Sequence, residues 1–391
     1  MNKVLFISSM GIEHVERLMK RLSNANQGKL EIHFFDTRLN PIGVGLDDVK
    51  PHFIKMPPLL RRMAMTPRLG VLFRILYEYR ALNSLMRSER FNVVSILYIP
   101  MEAFLYVKCA HRYQSKTLLV PLGSDVLRIG RFTKKLMSIA FKDSDYVSAD
   151  KRYRFSRDLM SMFTIPDGKC RGLSFGSDAL SHISELKGKY SKEYMQEQLG
   201  LPNSSFNIVC GYNATKGQRH VEMIRALIQN KNLLPKDYLV IIPLTYGTQG
   251  EDIRRDISGL AGIDEMRIAF LTDFMDAEHV AFLRLITDLF IHIQTTDGYN
   301  ASLQEFILAG AQCVNGSWLV YDTLEKYGVP YHKLDTVNNL PCLINDFFSS
   351  RLPSLIVPNE CIEEIRKGKD WEVVLPEWVA FLNQNFDRLT T

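Results

Sequence analysis

The chain has 391 residues, of which 46% are apolar and 23% charged, a composition ordinary for a globular protein. At roughly 100–200 residues per domain, this length predicts two or three domains. No apolar run reaches the roughly 18 residues that a membrane-spanning helix needs, and the apolar start over residues 4–7 is too short for a secretory signal, so we expect a cytoplasmic protein. The six scattered cysteines form no C-x-x-C pair, which argues against a zinc site.

The net charge of +5 is unevenly distributed along the chain. Residues 1–180 contain 29 lysines and arginines against 16 aspartates and glutamates, whereas residues 181–391 contain 19 against 27. This change of sign indicates a boundary near residue 180. A basic half attracts anions, which include phosphates, nucleic acid and the anionic face of a membrane.

Apolar runs of strand length alternate with segments of helical periodicity. In the first half, a helix is predicted over residues 12–22, and strands are predicted at 3–8, 30–35, 91–99 and 117–122. After residue 200 the pattern restarts, with strands at 207–211, 239–243, 267–271 and 289–293 and helices at 218–230, 250–261, 276–287 and 301–310. The alternation predicts βαβ units and parallel sheets.

We therefore predict an α/β chain with two Rossmann-like domains, over residues 1–180 and 205–370. Breaker residues near 176–178 and 202–205 predict the linker between them. A C-terminal helix over 371–391 is expected to pack back on the first domain, with three aromatic anchors: Trp371, Trp378 and Phe381.

The region 51–90 is strongly basic. It contains eight lysines and arginines against two acids, interleaved with apolar residues: Lys55, Arg61, Arg62, Arg68, Arg74, Arg80, Arg87 and Arg90. Residues 70–86 are predicted to form an amphipathic basic helix. Two interpretations stay open. The helix is either a solvated outer helix of the domain, or a surface that rests on anionic lipid or binds a phosphorylated acceptor.

The most informative segment, residues 295–305, follows a predicted strand and opens a predicted helix. Gly298 permits a tight turn, and the backbone amides of residues 300–302 would then lie at a helix N-terminus, where they can bind a phosphate. Glu305 falls about one turn into the helix, where its carboxylate can accept hydrogen bonds from a ribose diol. Asp297 is placed to accept hydrogen bonds from sugar hydroxyls, and it is one of three predicted catalytic residues, with Lys216 and Asp125. The predicted donor-binding residues here are Glu305, Gly298, Tyr299, Asn300, Ala301 and Ser302.

The spacing Asp297-x7-Glu305 resembles the E-x7-E pattern of the family 4 GT-B glycosyltransferases, a large retaining group. The following residues, 306–314, are similar to that family's "EAMACGLPVI" run. The resemblance implies two Rossmann-like domains facing each other across a cleft and a nucleotide diphosphate sugar as donor. It also implies that the first carboxylate contacts the donor sugar and the second the nucleotide ribose. Asp297 departs from the pattern because its side chain is shorter than that of glutamate.

A second segment, residues 210–220, also links a predicted strand to a predicted helix. In GT-B enzymes this loop supplies an arginine and a lysine to the donor diphosphate, and Lys216, which precedes a glycine, matches the family's lysine. Tyr212 stands where the family has its arginine, so Arg219 is the candidate for the second charge. A cation here would stabilise the leaving diphosphate as its charge develops; the alternative is a solvated loop lysine. Two further donor-binding candidates follow from this segment: Thr215 and Asn213.

Residues 242–248 end another predicted strand, and ligands of open α/β sheets bind at such ends. Thr245 and Tyr246 are predicted to touch the base or the phosphates of the donor, or else form a simple turn after a core strand. Together with residues 211–213, this segment resembles the bacterial 4-acetamido-4,6-dideoxygalactose transferases of enterobacterial common antigen synthesis.

In the first domain, two loops are predicted to line the site. Met10 and Gly11 follow the first strand, where GT-B enzymes place a glycine-containing loop. Ser124 and Asp125 belong to a "GSD" sequence that recurs at this position in family 4, and Asp125 is either a catalytic residue or a helix cap. His292 lies in an apolar strand and is predicted to be a core histidine. No D-x-D motif stands in a suitable loop, so we expect neither a metal ion nor a cofactor.

Taken together, these features predict a glycosyltransferase that moves a sugar from a nucleotide diphosphate sugar to a glycan or lipid-linked acceptor. Its expected setting is bacterial surface polysaccharide synthesis, at the inner face of the cell membrane. Two alternatives stay open, a sugar-nucleotide epimerase of the same fold and a non-catalytic sugar-binding protein. No recognition motif accompanies the basic charge, so no nucleic-acid partner is expected.

Overall fold

The computed structural model describes residues 1–9, 13–26, 28–39, 46, 48–64, 66 and 69–384. The chain divides into two compact units, which we call unit 1 (Met1–Gly176 with Glu372–Thr391) and unit 2 (Ser177–Trp371). Each unit contains one parallel β-sheet, and most of its consecutive strands are joined through helices. The predicted α/β class with parallel sheets is confirmed.

In the described part of unit 1, seven strands form a sheet in the order β3-β2-β1-β4-β5-β6-β7, so the strand order reverses between β1 and β4. The strands are β1 Asn2–Ser8, β2 Leu30–Asp36, β3 Val49–Phe53, β4 Val93–Leu97, β5 Lys116–Val120, β6 Tyr146–Ser148 and β7 Cys170–Arg171. The helices are α1 Glu13–Ala25, α2 Pro58–Ala64, α3 Leu69–Ser88, α4 Ala103–Arg112, α5 Ser124–Leu127, α6 Arg131–Asp143 and α7 Arg154–Phe163.

In unit 2, six strands form a sheet in the order β10-β9-β8-β11-β12-β13, and the order reverses between β8 and β11. The strands are β8 Phe206–Cys210, β9 Tyr238–Pro243, β10 Ile268–Leu271, β11 Leu289–His292, β12 Gln312–Gly316 and β13 His332–Leu334. The helices are α8 Asp178–Leu186, α9 Lys192–Gln198, α10 His220–Gln229, α11 Gly250–Ser258, α12 Ala277–Ile286, α13 Ala301–Ala309, α14 Asp322–Glu325, α15 Leu340–Phe348 and α16 Asn359–Lys369.

The central strands are continuous apolar runs rather than alternating ones. Every residue of β4 and of β9 is buried. Such runs are typical of parallel strands, because helices cover both faces of the sheet. The same composition made these strands visible in the sequence, whereas β3 and β7 lie at a sheet edge and carry few or no buried residues.

The final helix, α17 Trp371–Leu382, adds to the core of unit 1. The Trp378 side chain is fully buried, and its indole N–H donates a hydrogen bond of 2.7 Å to the carbonyl oxygen of Ser174. Its ring contacts the rings of Phe6 on β1 and Phe175 at centroid distances of 6.5 and 5.9 Å. Phe381 packs edge-on against Tyr146 of β6. Two of the three predicted anchors therefore contact unit 1 directly.

The basic region 51–90 forms β3, α2 and α3, and the helix predicted over 70–86 lies within α3. Large apolar side chains are exposed beside its arginines, with Leu59 of α2 at 72% and Leu72 of α3 at 68%. Phe132, at the start of α6 in the same unit, is 70% exposed. Among the described helices, none is both long and apolar enough to cross a membrane.

Candidate functional site

Three loops meet at the carboxyl ends of β8, β9 and β11, the strands around the reversal in unit 2. The amide of Ala214 donates a hydrogen bond to the carbonyl oxygen of Tyr246 at 2.7 Å. The amide of Thr295 donates one to the carbonyl oxygen of Gly217 at 2.9 Å. Ligands of open α/β sheets bind where the strand order reverses, at the carboxyl ends. The structure thus brings the three sequence segments, 210–220, 242–248 and 295–305, to the place where a ligand is expected.

The turn before α13 is built around Asn300. Asn300 is the N-cap of α13, and its side-chain oxygen accepts a hydrogen bond from the amide of Ser302. Its own amide lies 3.3 Å from the hydroxyl oxygen of Tyr321, to which it donates. Two of the three amides expected to bind a phosphate are therefore already satisfied, that of Ser302 by the N-cap side chain and that of Asn300 by Tyr321. Gly298 and Tyr299 form the preceding loop, and Tyr299 has a left-handed φ of 72°.

Asp297 is nearly buried, with a side chain 7% exposed. The hydroxyl of Tyr321 donates a hydrogen bond to its Oδ2, and the Nε2 atom of His292 lies 3.7 Å from the same oxygen. Burial raises the pKa of Asp297 above its usual value, while His292 and Tyr321 act in the opposite direction. The carboxyl group predicted to meet the sugar is thus held by aromatic residues of β11 and of the segment after β12.

Glu305 forms a buried ion pair inside unit 2. Its Oε2 accepts a hydrogen bond from Nε of Arg284 on α12 at 3.1 Å, and its Oε1 accepts one from the hydroxyl of Ser177 at 2.6 Å. The guanidinium group of Arg284 also stacks on the ring of Phe306, 4.2 Å from its centroid. Each carboxylate oxygen has two lone pairs, so Glu305 keeps the capacity to accept a further hydrogen bond.

One further cation belongs to this acidic region. Lys369, the last residue of α16, lies close enough to interact with the charges of both Asp297 and Glu305. Burial lowers the pKa of Lys369, and the two carboxylates raise it. Its carbonyl oxygen accepts a hydrogen bond from the amide of Ser177 at 2.8 Å, so the two ends of unit 2 meet beside Glu305.

The two predicted phosphate-binding cations make other contacts. The Lys216 ammonium lies 3.2 Å from Oδ2 of Asp256 on α11, and its side chain is half exposed. Arg219 has a left-handed φ of 64°, and its guanidinium group lies over the ring of Trp318 at 5.2 Å. The remaining two candidates of this loop bind each other, because the hydroxyl of Thr215 donates to the Asn213 side chain at 2.8 Å.

A polar network that the sequence did not reveal lies beneath this loop. The Tyr212 hydroxyl and the Gln218 carboxamide both donate to Oε1 of Gln294, at 3.0 and 2.9 Å. Gly211 has a φ of 67°, and a Cβ atom there would lie 2.8 Å from Nε2 of His220. Both ring nitrogens of His220 are buried and, among the described residues, lack a hydrogen-bond partner. Burial lowers the pKa of His220 to about 4.

The third segment presents an aromatic surface. Tyr246 is 49% exposed after β9, and its ring centroid lies 6.4 Å from that of Tyr212. Thr245 is half-buried beside it. An exposed ring at a ligand edge offers a face on which a planar base can stack.

In unit 1, the Asp125 carboxylate is hydrogen-bonded to backbone amides. It accepts hydrogen bonds from the amides of Ile99, Leu122 and Gly123 at 2.8 to 3.0 Å, which ties the loop after β4 to the loop after β5. Burial raises the pKa of Asp125 to about 6. These contacts explain the residue as a structural link, and they give no support to a catalytic role. Ser124 is exposed beside it, whereas Met10 and Gly11 lie outside the described residues.

Within the described part of the chain, one group could supply three ligands to a metal ion: Glu31, His33 and Glu89. Lysine ammonium groups already bind both carboxylates, since Lys3 lies 2.9 Å from Glu89 and Lys50 lies 2.5 Å from Glu31. The group lies at the amino ends of β1 and β2, opposite to the ligand edge of the sheet. We therefore interpret it as a partly buried network of ion pairs.

The residues that the sequence analysis missed fall into two kinds. Gln218 and His220 stood within the 210–220 segment, where their chemistry was visible but their burial was not. Ser177, Arg284 and Tyr321 come from distant elements, and no local pattern marks them.

Neither a protein-family model nor a curated protein sequence matches the chain. Solved structures match over almost its full length. Sucrose-phosphate synthase from Thermosynechococcus elongatus has a TM-score of 0.71 at 13% identity, covering 99% of both chains. HepE from Anabaena in complex with UDP-glucose has a TM-score of 0.66 at 12% identity, covering 98% of this chain and 100% of that one. Trehalose 6-phosphate synthase from Burkholderia multivorans has a TM-score of 0.70 at 11% identity, covering 98% of this chain and 96% of that one. The likeness confirms the GT-B fold.

The buried His220 makes a prediction about pH. Its pKa is about 4 in the folded chain and 6.5 as the ordinary value, so below pH 6.5 the unfolded chain binds a proton that the folded chain does not. Folding stability should therefore fall by about 3 kcal/mol as the pH drops from 7 to 4. His220→Leu should remove this contribution, so the stability advantage of the wild type over the variant should shrink by that amount in urea unfolding measured across this range. His182→Leu, at a half-exposed position on α8, is the control and should show no comparable change; equal pH dependence of both differences would contradict the prediction.

Proposed function

We propose that this chain is a glycosyltransferase whose unit 2 binds a nucleoside diphosphate sugar. The observation that carries the proposal is the pair Asp297 and Glu305, which stand at the carboxyl edge of the unit 2 sheet with the family 4 spacing. The fold is shared with proteins named as sucrose-phosphate synthase and trehalose 6-phosphate synthase, and with HepE, which is described in complex with UDP-glucose. We therefore propose a nucleoside diphosphate sugar, with UDP-sugars to be tested first.

We assign the donor groups along this edge as follows. Tyr246 stacks on the base, Glu305 accepts hydrogen bonds from the ribose, and Asp297 contacts the sugar. Lys216 and Arg219 would leave their present partners and bind the diphosphate, where positive charge stabilises the leaving group. Thr215, Asn213 and Thr245 complete the loop surface around it.

Binding can be tested first at Lys216, because its exposed side chain can be changed without disturbing the core. Lys216→Met should weaken binding of the nucleotide sugar about tenfold, the value for losing one charge-assisted hydrogen bond. Isothermal titration against a panel of nucleoside diphosphates and their sugars measures this. Lys189→Met, an exposed lysine of the same unit, should leave the affinity unchanged. Absence of binding to every nucleotide in the panel would refute the proposal, and conversion of a nucleotide sugar without acceptor would favour an epimerase.

For the transfer itself we propose retention of configuration, which rests on the family 4 resemblance. The bond between the anomeric carbon and the phosphate oxygen breaks, the acceptor oxygen bonds to that carbon on the same face, and the acceptor proton passes to the leaving phosphate. No side chain needs to act as a nucleophile in this scheme. The product anomer, determined by NMR, should match that of the donor, and an inverted product would exclude the scheme.

For the acceptor we propose a lipid-linked glycan of bacterial surface polysaccharide synthesis, reached at the inner face of the membrane. The exposed leucines Leu59 and Leu72 accompany Arg61 and Arg62 in unit 1. Such a mixture of apolar and basic groups suits an anionic lipid surface, with about 1 kcal/mol for each basic residue near it.

Membrane contact gives its own test. Replacing Arg61 and Arg62 by glutamine should reduce binding to vesicles that contain anionic lipid several-fold, and should leave binding to neutral vesicles unchanged. Vesicle sedimentation measures both. The control replaces Arg254 and Arg255 of α11, two adjacent arginines of unit 2 that stand among acidic residues. Equal loss in both variants, or no binding to anionic vesicles by the wild type, would exclude this surface.

A further inference from the structure

Six residues other than glycine have a left-handed backbone in the part of the chain that the structure describes. Three of them lie within two residues of the end of a helix, where a left-handed residue is common: Gln114, Thr164 and Ser350. The other three lie in the loops that follow β4, β8 and β11: Tyr98, Arg219 and Tyr299. These strands stand at the two reversals of strand order, so the strain that helix ends do not explain is concentrated at the ligand edges of the sheets.

Tyr98 directly follows β4, at the carboxyl edge of the unit 1 sheet. The order of strands in this sheet reverses between β1 and β4. The ends of these two strands are tied together, because the hydroxyl of Ser8 in β1 donates a hydrogen bond of 3.0 Å to the carbonyl oxygen of Leu97 in β4. Ligands of open α/β sheets bind at such a reversal. Tyr98 therefore stands where unit 1 is expected to bind a ligand of its own.

Hydrogen bonds hold the backbone on both sides of Tyr98. Its own amide donates to the carbonyl oxygen of Val120 at 3.1 Å, and the amide of Ile99 donates to Oδ2 of Asp125 at 2.8 Å. The φ of Tyr98 is 58°, which brings the Cβ atom of an L-residue too close to the carbonyl oxygen that follows. Such a conformation persists only where the surrounding structure enforces it, and residues of this kind cluster at ligand sites.

This backbone turns a large ring out of a run of buried residues. Tyr98 is 39% exposed, whereas Leu97 and Ile99 on either side of it are buried. Its hydroxyl accepts a hydrogen bond of 3.4 Å from the exposed hydroxyl of Ser124. A pyranose has an apolar face of C–H groups and hydroxyl groups around its rim, which an aromatic ring with hydroxyl groups beside it can match. Both side chains are uncharged, which favours a neutral sugar over a phosphate.

We propose that the carboxyl edge of the unit 1 sheet is a carbohydrate-binding site, in which the Tyr98 ring stacks on a pyranose and the Ser124 hydroxyl binds one of its hydroxyl groups. The identification of this sugar as the acceptor of the transfer rests on the proposed function, and the binding itself does not. The strained loop then has a role, since it presents the ring to the ligand, and the buried carboxylate of Asp125 keeps it in place.

Two substitutions at Tyr98 separate the backbone from the ring. Both Tyr98→Gly and Tyr98→Ala remove the ring, but glycine adopts a positive φ without strain and alanine does not. Tyr98→Gly should therefore unfold at a higher temperature than Tyr98→Ala in scanning calorimetry. Tyr190 of unit 2 is the control, because it is 41% exposed and its φ is not left-handed. There the glycine variant should unfold at the lower temperature.

Binding is measured by saturation-transfer NMR on the full chain, titrated with the methyl glycosides of glucose, galactose, mannose and N-acetylglucosamine. At least one glycoside should bind, with the strongest transfer to the C–H groups of one face of the sugar. Tyr98→Ala and Tyr98→Gly should both weaken this binding about tenfold, because the stacking surface is lost. Tyr98→Phe keeps the ring and should weaken it by no more than about threefold. Tyr190→Ala should leave it unchanged.

The proposal is overturned if no glycoside binds, if Tyr98→Ala binds it as well as the wild type, or if Tyr98→Phe loses as much affinity as Tyr98→Ala. Titration with UDP-glucose keeps the two proposals apart. Its affinity should be equal in the wild type and in Tyr98→Ala, and a loss there would assign the ring to the donor and overturn the carbohydrate site. A chain that binds a glycoside through Tyr98 but binds no nucleotide sugar would refute the proposed function and leave this site standing.

Discussion

The buried carboxylate of Glu305 is the constraint on which the unit 2 site depends. Glu305 lies on α13. It accepts one hydrogen bond from Ser177, the N-cap of α8, and one from Arg284 on α12, so it links the three helices. An ion pair buried in this way contributes little net stability, but removing one partner leaves an uncompensated charge that costs about 3–5 kcal/mol. The pair therefore fixes the relative positions of these helices, and with them the turn that carries Asp297 and Asn300.

The electrostatic character of the site differs from a simple cluster of cations around phosphates. Lys216 is paired with Asp256 and Arg219 stacks on Trp318, while the buried layer beneath them consists of neutral donors and acceptors, among them Gln218, His220 and Gln294. Neutral groups that are already oriented cost no reorganisation when charge develops nearby. Gln218 and His220 stand in the 210–220 segment, but Gln294 joins them only through the sheet, so no local spacing marks this layer.

The sequence predicted the features that leave a local pattern, and it missed those that depend on residues brought together by the fold. Central strands such as β4 and β9 were visible because burial on both faces demands an unbroken apolar run, and the edge strand β3 was missed because it has no such run. The segment 295–305 was placed correctly at the end of β11. The hydrogen bonds that its amides make to Asn300 and Tyr321 were not predicted, and Tyr321 lies twenty-one positions from the amide that it accepts. His292 is a core histidine as predicted, since it is fully buried, and the sequence could not reveal that its Nε2 atom has no hydrogen-bond partner among the described residues.

The placement of Trp378 has a consequence for how the chain is made. Unit 1 begins at the first residue of the chain, but its core includes an indole that is synthesised only after all of unit 2. Domains emerge from the ribosome in sequence and tend to fold as they emerge. Here the second unit is complete while the first still lacks α17, so the ring contacts of Trp378 with Phe6 and Phe175 form last. The core of unit 1 is therefore completed only after unit 2 has been synthesised.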